Sequence, residues 1–357
     1  MRMYCSDVAS VQLQTVLPSS GGRNMVSNLK HRHDMTMSDV RLSDPQRLDA
    51  AISLLFPPSV RVQRSQDLFG CVHSLRLLTL SNGVRLLLKC SPLPGTPLLR
   101  RERLFLETEA RSLVLLGQSA NPCVPQIYHY DPRGGALGSA HLIRQYIKGR
   151  SLFELQDEIT SQQKRDLDRH LGFLASSISQ NVASAFGSLQ QVAMGGGKRS
   201  WRDAFSALFE SVLRDAEDML IHIPYAEVRR EMSRLSRVLD EVSLPRLVVV
   251  DFGRPSHVLI NERTHQLTGI IDFSSAFWGD FLMAEIFEHP SASVLEGAGL
   301  PMTRSRGEHI RLLMYSCYRL ISRITIQYYR NRNDSEEIEA RRRLMVNIAE
   351  LAASEST

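Results

Sequence analysis

The sequence predicts an α+β fold in two lobes, a β-rich lobe with one long helix followed by a mainly helical lobe. Three observations carry this. Short apolar strands cluster between about residues 60 and 147, with a single long amphipathic helix among them. After Gly149 the apolar spacing changes from strand-like to helical. Within that helical half, residues 246–273 return to short apolar strands, two of which end in an aspartate.

The elements follow in order. Residues 1–44 show no sustained period and read as a disordered tail. Residues 45–56 place apolar side chains at helical spacing until Pro57 and Pro58 stop the helix. A short strand at 60–62 and strands at 75–80 and 84–89 come next, the last two joined by the hairpin turn Ser81-Asn82-Gly83. Pro92, Pro94 and Pro97 mark a loop before the long helix at 100–116. Strands at 124–130 and 140–147 close the first lobe. Helices are expected at about 152–160, 161–182, 201–219, 225–241 and 307–330. The lobes are therefore 45–148 and 149–335, with a C-terminal helix or tail over 336–357, whose run EEIEARRR reads as a solvated helix.

Composition narrows the function classes. The chain has 357 residues, 43% of them hydrophobic, enough for a sizeable core. The net charge of +5 is small and scattered, which is not a nucleic-acid footprint. No apolar run approaches the roughly 18 residues a membrane span needs. Five cysteines at 5, 71, 90, 123 and 317 have neither metal-ligand nor redox spacing and fit a reduced, cytoplasmic setting. Arg2, Arg23, Lys30 and Arg32 against Asp7 give the tail a basic bias that would also suit a mitochondrial presequence. The partner expected is a small molecule; the sequence does not fix an oligomeric state.

Four residues stand where phosphoryl chemistry needs them. Lys89 ends the apolar strand LLLKC, within reach of a phosphate, although such a lysine can equally snorkel to water. Glu109 lies on the following helix, where it could fix the ammonium; Glu107 competes for that role. Asp251 and Asp272 each end a short strand, and two carboxylates delivered this way converge on one metal-phosphate site. Either aspartate alone would be an ordinary cap or turn residue. His73 and His257 are isolated and read as core or surface histidines, and Tyr315, Tyr318, Tyr328 and Tyr329 as a packed helix face.

The segments TGIIDFSSAFWGD and PRLVVVDF, preceded in matching order by LTLSNGVRLLLK, EARSLVLL and HLIRQYIKGRSL, resemble the aminoglycoside phosphotransferases and their fungal and bacterial relatives over roughly residues 60–330. FGSL at 186–189 and SWRDAF at 200–205 are similar to segments of that family too. The resemblance implies a protein-kinase-like two-lobed fold and transfer of a phosphoryl group from ATP, with Mg²⁺ or Mn²⁺, to a small-molecule hydroxyl. It implies Asp251 as the catalytic carboxylate and Asp272 as a metal ligand. Lys89, held by Glu109, would bind phosphates, and the Gln145–Ile147 backbone would line the adenine pocket.

The chain departs from the family in three places. Val249 stands where the catalytic loop usually has a histidine. The family's second metal ligand, an asparagine five residues after the aspartate, falls on Ser256 by count and on His257 by the following strand, leaving one inserted residue. The phosphate-covering turn DLFGCVHSL offers only Gly70 and Ser74 as small residues, a thin source of backbone N–H groups. These departures keep a second class open: a diverged protein of the same fold that binds a metabolite or catalyses an ATP-independent step, such as cyclisation of a hydrophobic substrate in secondary metabolism.

Overall fold

A computed structural model describes residues 44–68, 70, 72–118, 121–330 and 332–354. The tail expected over 1–44 lies outside them except for Asp44.

The first lobe begins with α1 (Asp44–Ser53), which covers one face of a five-stranded antiparallel sheet. Its strands are β1 (Val62–Leu68), β2 (Ser74–Leu80), β3 (Arg85–Cys90), β4 (Ile127–Asp131) and β5 (His141–Gln145), in the order β1-β2-β3-β5-β4. Leu78, Leu80, Leu86, Leu88 and Ile143 meet Leu48 and Ile52 of α1 on that face. The other face receives α2 (Phe105–Gly117), which follows a 3₁₀ turn at Arg100–Leu104 and buries Leu106, Ala110 and Leu113 in the core that continues into the second lobe. β1 runs longer than the 60–62 strand expected, because its sequence VQRSQDL is an exposed, polar sheet edge with no apolar alternation.

Gln145 ends β5, and the chain passes directly into β6 (Arg150–Ser151) and the second lobe. There α3 (Leu152–Leu155), α4 (Ser161–Ile178), α5 (Leu189–Ala193), α6 (Trp201–Asp218) and α7 (Tyr225–Arg234) surround two small sheets. β7 (Gly187–Ser188) and β8 (Arg246–Val249) flank β11 (Ala276–Gly279), while β9 (Val258–Ile260) joins β6 to β10 (Leu267–Ile270). The helices expected over 152–160 and 225–241 are shorter; the latter continues as a 3₁₀ turn at Ser236–Glu241. α8 (Ala292–Ala298) packs on α4, with Gly172 and Gly297 allowing the backbones to touch.

α9 (Arg306–Tyr329) is buried through most of its length. Tyr315 and Tyr318 are fully enclosed, Tyr315 taking the Trp201 indole N–H at 2.7 Å and donating to Asp280 at 2.7 Å. α10 (Asp334–Ala353) corrects the solvated-helix expectation for 336–343. Glu337, Ala340, Leu344, Ile348 and Leu351 form a buried stripe at helical spacing against α9. No helix among the described residues is long and apolar enough to cross a membrane.

Candidate functional site

The two lobes face each other across residues carried by β3, α2 and the loops after β8 and β10. On β3, Lys89 pairs with Leu142, so its side chain leaves the sheet on the face opposite its neighbour Cys90. It meets Glu109, which is fully enclosed on α2, at 2.5 Å. Glu107 is turned aside and pairs with Arg111. Lys89 Nζ also lies 3.7 Å from Asp272 Oδ1, so this cation spans the carboxylates of both lobes. Burial works against its charge, but Asp272 and Glu109 outweigh that and hold its pKa above the ordinary lysine value.

Asp272 adopts φ +66°, a left-handed conformation uncommon for a residue with a Cβ. It is held by an Asx turn in which the Ser274 N–H donates to Oδ1 at 3.1 Å. Such strain persists where the surroundings over-determine it. Burial raises its pKa, but Lys89, His257 and the Ser274 bonds prevail and keep the carboxyl well below the usual range. Its side chain stays 37% exposed, open to a cation.

Asp251 follows β8, whose residues, Val249 included, are buried against β11. Its N–H donates to Ser275 Oγ at 3.1 Å, and its carboxylate accepts from Arg254 at 3.1 Å. Burial pushes the Asp251 pKa up; Arg254, Arg101 and His257 outweigh this, so the net shift is downward although Asp272 opposes it. Arg254 also binds Glu285 at 2.9 Å, and Glu285 binds Arg323 at 2.7 Å.

The loop after Asp251 turns at Gly253, which takes φ +88° and could not carry a Cβ without meeting Ile286 at 2.7 Å. The loop then turns through Pro255–His257. Of the two candidates for the second metal position, Ser256 is exposed, while His257 Nε2 lies 4.0 Å from Asp272 Oδ2 and its Nδ1 is buried without a partner. A carboxylate with an imidazole beside it suits a divalent cation, with nitrogen favouring Mn²⁺ over Mg²⁺.

The phosphate-side residues fall differently. Ser74 pairs with Cys90 and so projects from the face away from Lys89; Gly70 is exposed in the turn. Phe69 and Cys71 of that turn lie outside the described residues. What reaches inward is His73, 7% exposed, whose pKa is lowered to about 4, first by burial and then by Lys89. At the lobe junction the Gln145 N–H donates to the Gln126 carbonyl at 2.7 Å, and the Gln145 carbonyl accepts from Arg144 at 3.2 Å. Ile147 makes no backbone hydrogen bond among the described residues and packs on Gly269.

Sequence reasoning missed Arg101, Arg144 and Arg254, and read His73 as a core or surface histidine with no part in the site. Arg144 stands in the apolar strand HLIRQ, 5% exposed and 3.2 Å from Glu109, an approach without hydrogen-bond geometry. A charge inside an otherwise apolar strand was its available signal.

Beside these groups lies an apolar cavity of about 220 Å³ walled by Phe105, Leu208, Val250, Phe277 and Tyr318. Ser274 and Ser275, which hold Asp272 and Asp251, form part of the same wall. Arg100, Arg101 and Lys198 line it, and no Asp or Glu among the described residues does. Arg100 is neutralised by Asp215 and Asp218. Arg101 instead donates to the Tyr318 hydroxyl at 3.1 Å, lies near the Phe105 and Tyr318 rings, and keeps a buried Nε without a partner. It also borders a second cleft of about 620 Å³ whose lining includes Asp251 and Arg254.

No protein-family model and no curated protein matches the chain. Solved structures do. A protein described as a fructosamine-3-kinase from Thermobifida fusca is similar over 86% of this chain and 99% of its own, at 16% identity and TM-score 0.61. One described as an aminoglycoside phosphotransferase from Ralstonia eutropha is similar over 85% and 96%, at 12% identity and TM-score 0.57. A thermostable mutant of the aminoglycoside phosphotransferase APH(4)-Ia, solved as a ternary complex with AMP-PNP and hygromycin B, matches over 86% and 99%, at 16% identity and TM-score 0.57. The chain has the kinase-like fold of these small-molecule phosphotransferases.

Proposed function

We propose that the protein is an ATP-dependent phosphotransferase acting on a hydroxyl of an apolar small molecule that bears an anionic group. The observation that carries the reading is Lys89, which spans Glu109 and Asp272 across the cleft while Asp251 stands beside them. Lys89 would hold the nucleotide phosphates, kept in place by Glu109. Asp272, helped by His257, would hold Mg²⁺ or Mn²⁺, whose charge would offset that of the phosphates. Ile147 has backbone groups free to meet the adenine edge.

In the reaction the acceptor hydroxyl oxygen bonds to the γ-phosphorus as the bond from that phosphorus to the bridging oxygen breaks, and ADP leaves. The hydroxyl proton goes to Asp251, whose lowered pKa keeps it ionised and able to accept. Positioning and charge stabilisation would supply most of the rate. The anionic group of the acceptor is inferred from the cavity: mainly apolar walls, no acid among the described lining residues, and in Arg101 a cation that feels Asp251 and Glu102 through space but makes no direct ion pair among the described residues. The test is transfer of label from γ-labelled ATP into a panel of apolar hydroxy acids and of amino sugars. Label should enter the hydroxy acids and stop on chelation with EDTA; no transfer to any hydroxyl would refute the reading.

A second reading is favoured by two specific contacts. His73 fills space where phosphates would be covered, and Arg254 already pairs with Asp251. Both suit a diverged site that converts a hydrophobic metabolite without nucleotide. Conversion that needs neither ATP nor metal would establish it and leave the fold untouched.

A further inference from the structure

On the sheet face turned away from Lys89, three side chains converge outside the cleft. Asp131 of β4 pairs directly with His141 of β5, and His129 lies two residues before Asp131 on the same face. One potential ligand atom from each residue lies within 4.8 Å of the other two, the only such group among the described residues. The imidazole rings of His129 and His141 are 5.7 Å apart.

The donor atoms are arranged for a cation. His141 is 2% exposed, and its Nδ1 lies 3.0 Å from the Ser139 carbonyl oxygen. A carbonyl can only accept, so Nδ1 carries the proton and Nε2 presents a lone pair. That Nε2 is buried with no hydrogen-bond partner among the described residues. A buried lone pair left unmatched is costly, and an imidazole fixed by a carbonyl on its other nitrogen is the usual form of a metal-bound histidine. Asp131 is similarly divided. Its Oδ1 accepts the N–H groups of Arg133 and Gly134 at 2.8 and 3.0 Å, which leaves Oδ2 for a ligand. Gly135 crowds that oxygen so closely that any Cβ there would collide with it.

We propose that His129, Asp131 and His141 form a Zn²⁺ site that clamps the β4–β5 ribbon. Two imidazoles and one carboxylate match the ligand preferences of Zn²⁺, with a fourth position left to water. The ion would tie together the ends of the 132–140 turn, at the start of the strand that runs to Gln145 and the lobe junction. This site does not depend on the phosphotransferase reading, since it lies on the opposite face from Lys89 and needs no nucleotide.

The experiment is calorimetric titration of ZnCl₂ into untagged, EDTA-stripped full-length protein, with melting curves on the same samples. The wild type should bind one Zn²⁺ and melt at a higher temperature in its presence. His129 is partly exposed and donates no hydrogen bond among the described residues, so His129→Gln should keep the metal-free melting temperature while weakening Zn²⁺ by at least about tenfold. His141→Gln should lose binding as well. Co²⁺ in place of Zn²⁺ should give visible d–d absorption in the wild type that is absent in His129→Gln. No binding by the wild type, or affinity and Co²⁺ spectrum unchanged in His129→Gln, would overturn the site.

Discussion

Arg254 donates to Asp251 at 3.1 Å and, from the same nitrogen, to Glu285 at 2.9 Å. The proposed proton acceptor is therefore held in one orientation by a cation that also keeps it ionised.

Arg254→Gln removes that cation, so the Asp251 pKa should rise toward the ordinary carboxylate value. The acid limb of the pH–rate profile for labelled-phosphate transfer should move to higher pH, with the neutral-pH rate falling by about tenfold or more. An unmoved acid limb would mean that Asp251 is not the group titrating in catalysis.

Lys89 and Arg144 share Glu109 in a buried cluster. Glu109→Gln leaves two enclosed cations with one carboxylate fewer and should cost about 3–5 kcal/mol. Arg144→Met keeps the Lys89–Glu109 pair and should cost less than half as much. Urea unfolding of both variants checks the order; equal losses would show that Arg144, not Lys89, is Glu109's principal partner.

His73 is held at a pKa of about 4 in the folded chain against 6.5 ordinarily, chiefly by burial. As pH falls below 6.5 the unfolded chain takes up this proton first, so stability that is full above 6.5 is lost as the pH approaches 4. His73→Asn should flatten the melting-temperature curve across that window. Asp272 and Asp251 are shifted down and lose their contributions only below about 3.8, outside it.

His257, with Nε2 4.0 Å from Asp272 Oδ2, supplies nitrogen where Mg²⁺ prefers oxygen. Transfer should be faster with Mn²⁺ than with Mg²⁺, and His257→Asn should shift the ratio toward Mg²⁺. A ratio that does not change would remove His257 from the metal site.

The parts of the site tied to strand ends were legible in the sequence. Lys89 stands next to the last residue of β3, Asp251 and Asp272 each stand two residues past the end of a short apolar strand, and the chain order of those strands places them together. The sequence left Glu107 competing with Glu109, and the two separate only in the fold, where Glu109 is enclosed and Glu107 pairs with Arg111. What was illegible depends on tertiary partners. β1 hides because an exposed edge strand has no apolar face to alternate. The α10 stripe is masked by EEIEARRR, where Glu337 is buried only because Arg332 and Arg341 pair with it. Arg254 and Asp251 are three residues apart, but only the turn at Gly253 brings their side chains together. His257 could not be chosen over Ser256 until the 3₁₀ turn had placed one side chain inside and the other outside.

The most direct test is calorimetric binding of ATP with Mn²⁺ or Mg²⁺ to the wild type and to Asp272→Asn. Asp272 carries the metal charge opposite Lys89 in this account, and its substitution leaves the Lys89–Glu109 pair in place. The wild type should bind one nucleotide in a metal-dependent manner, and Asp272→Asn should lose at least about tenfold in that affinity, or roughly 1.4 kcal/mol. Absence of nucleotide binding by the wild type, or equal metal-dependent binding by both proteins, would contradict it.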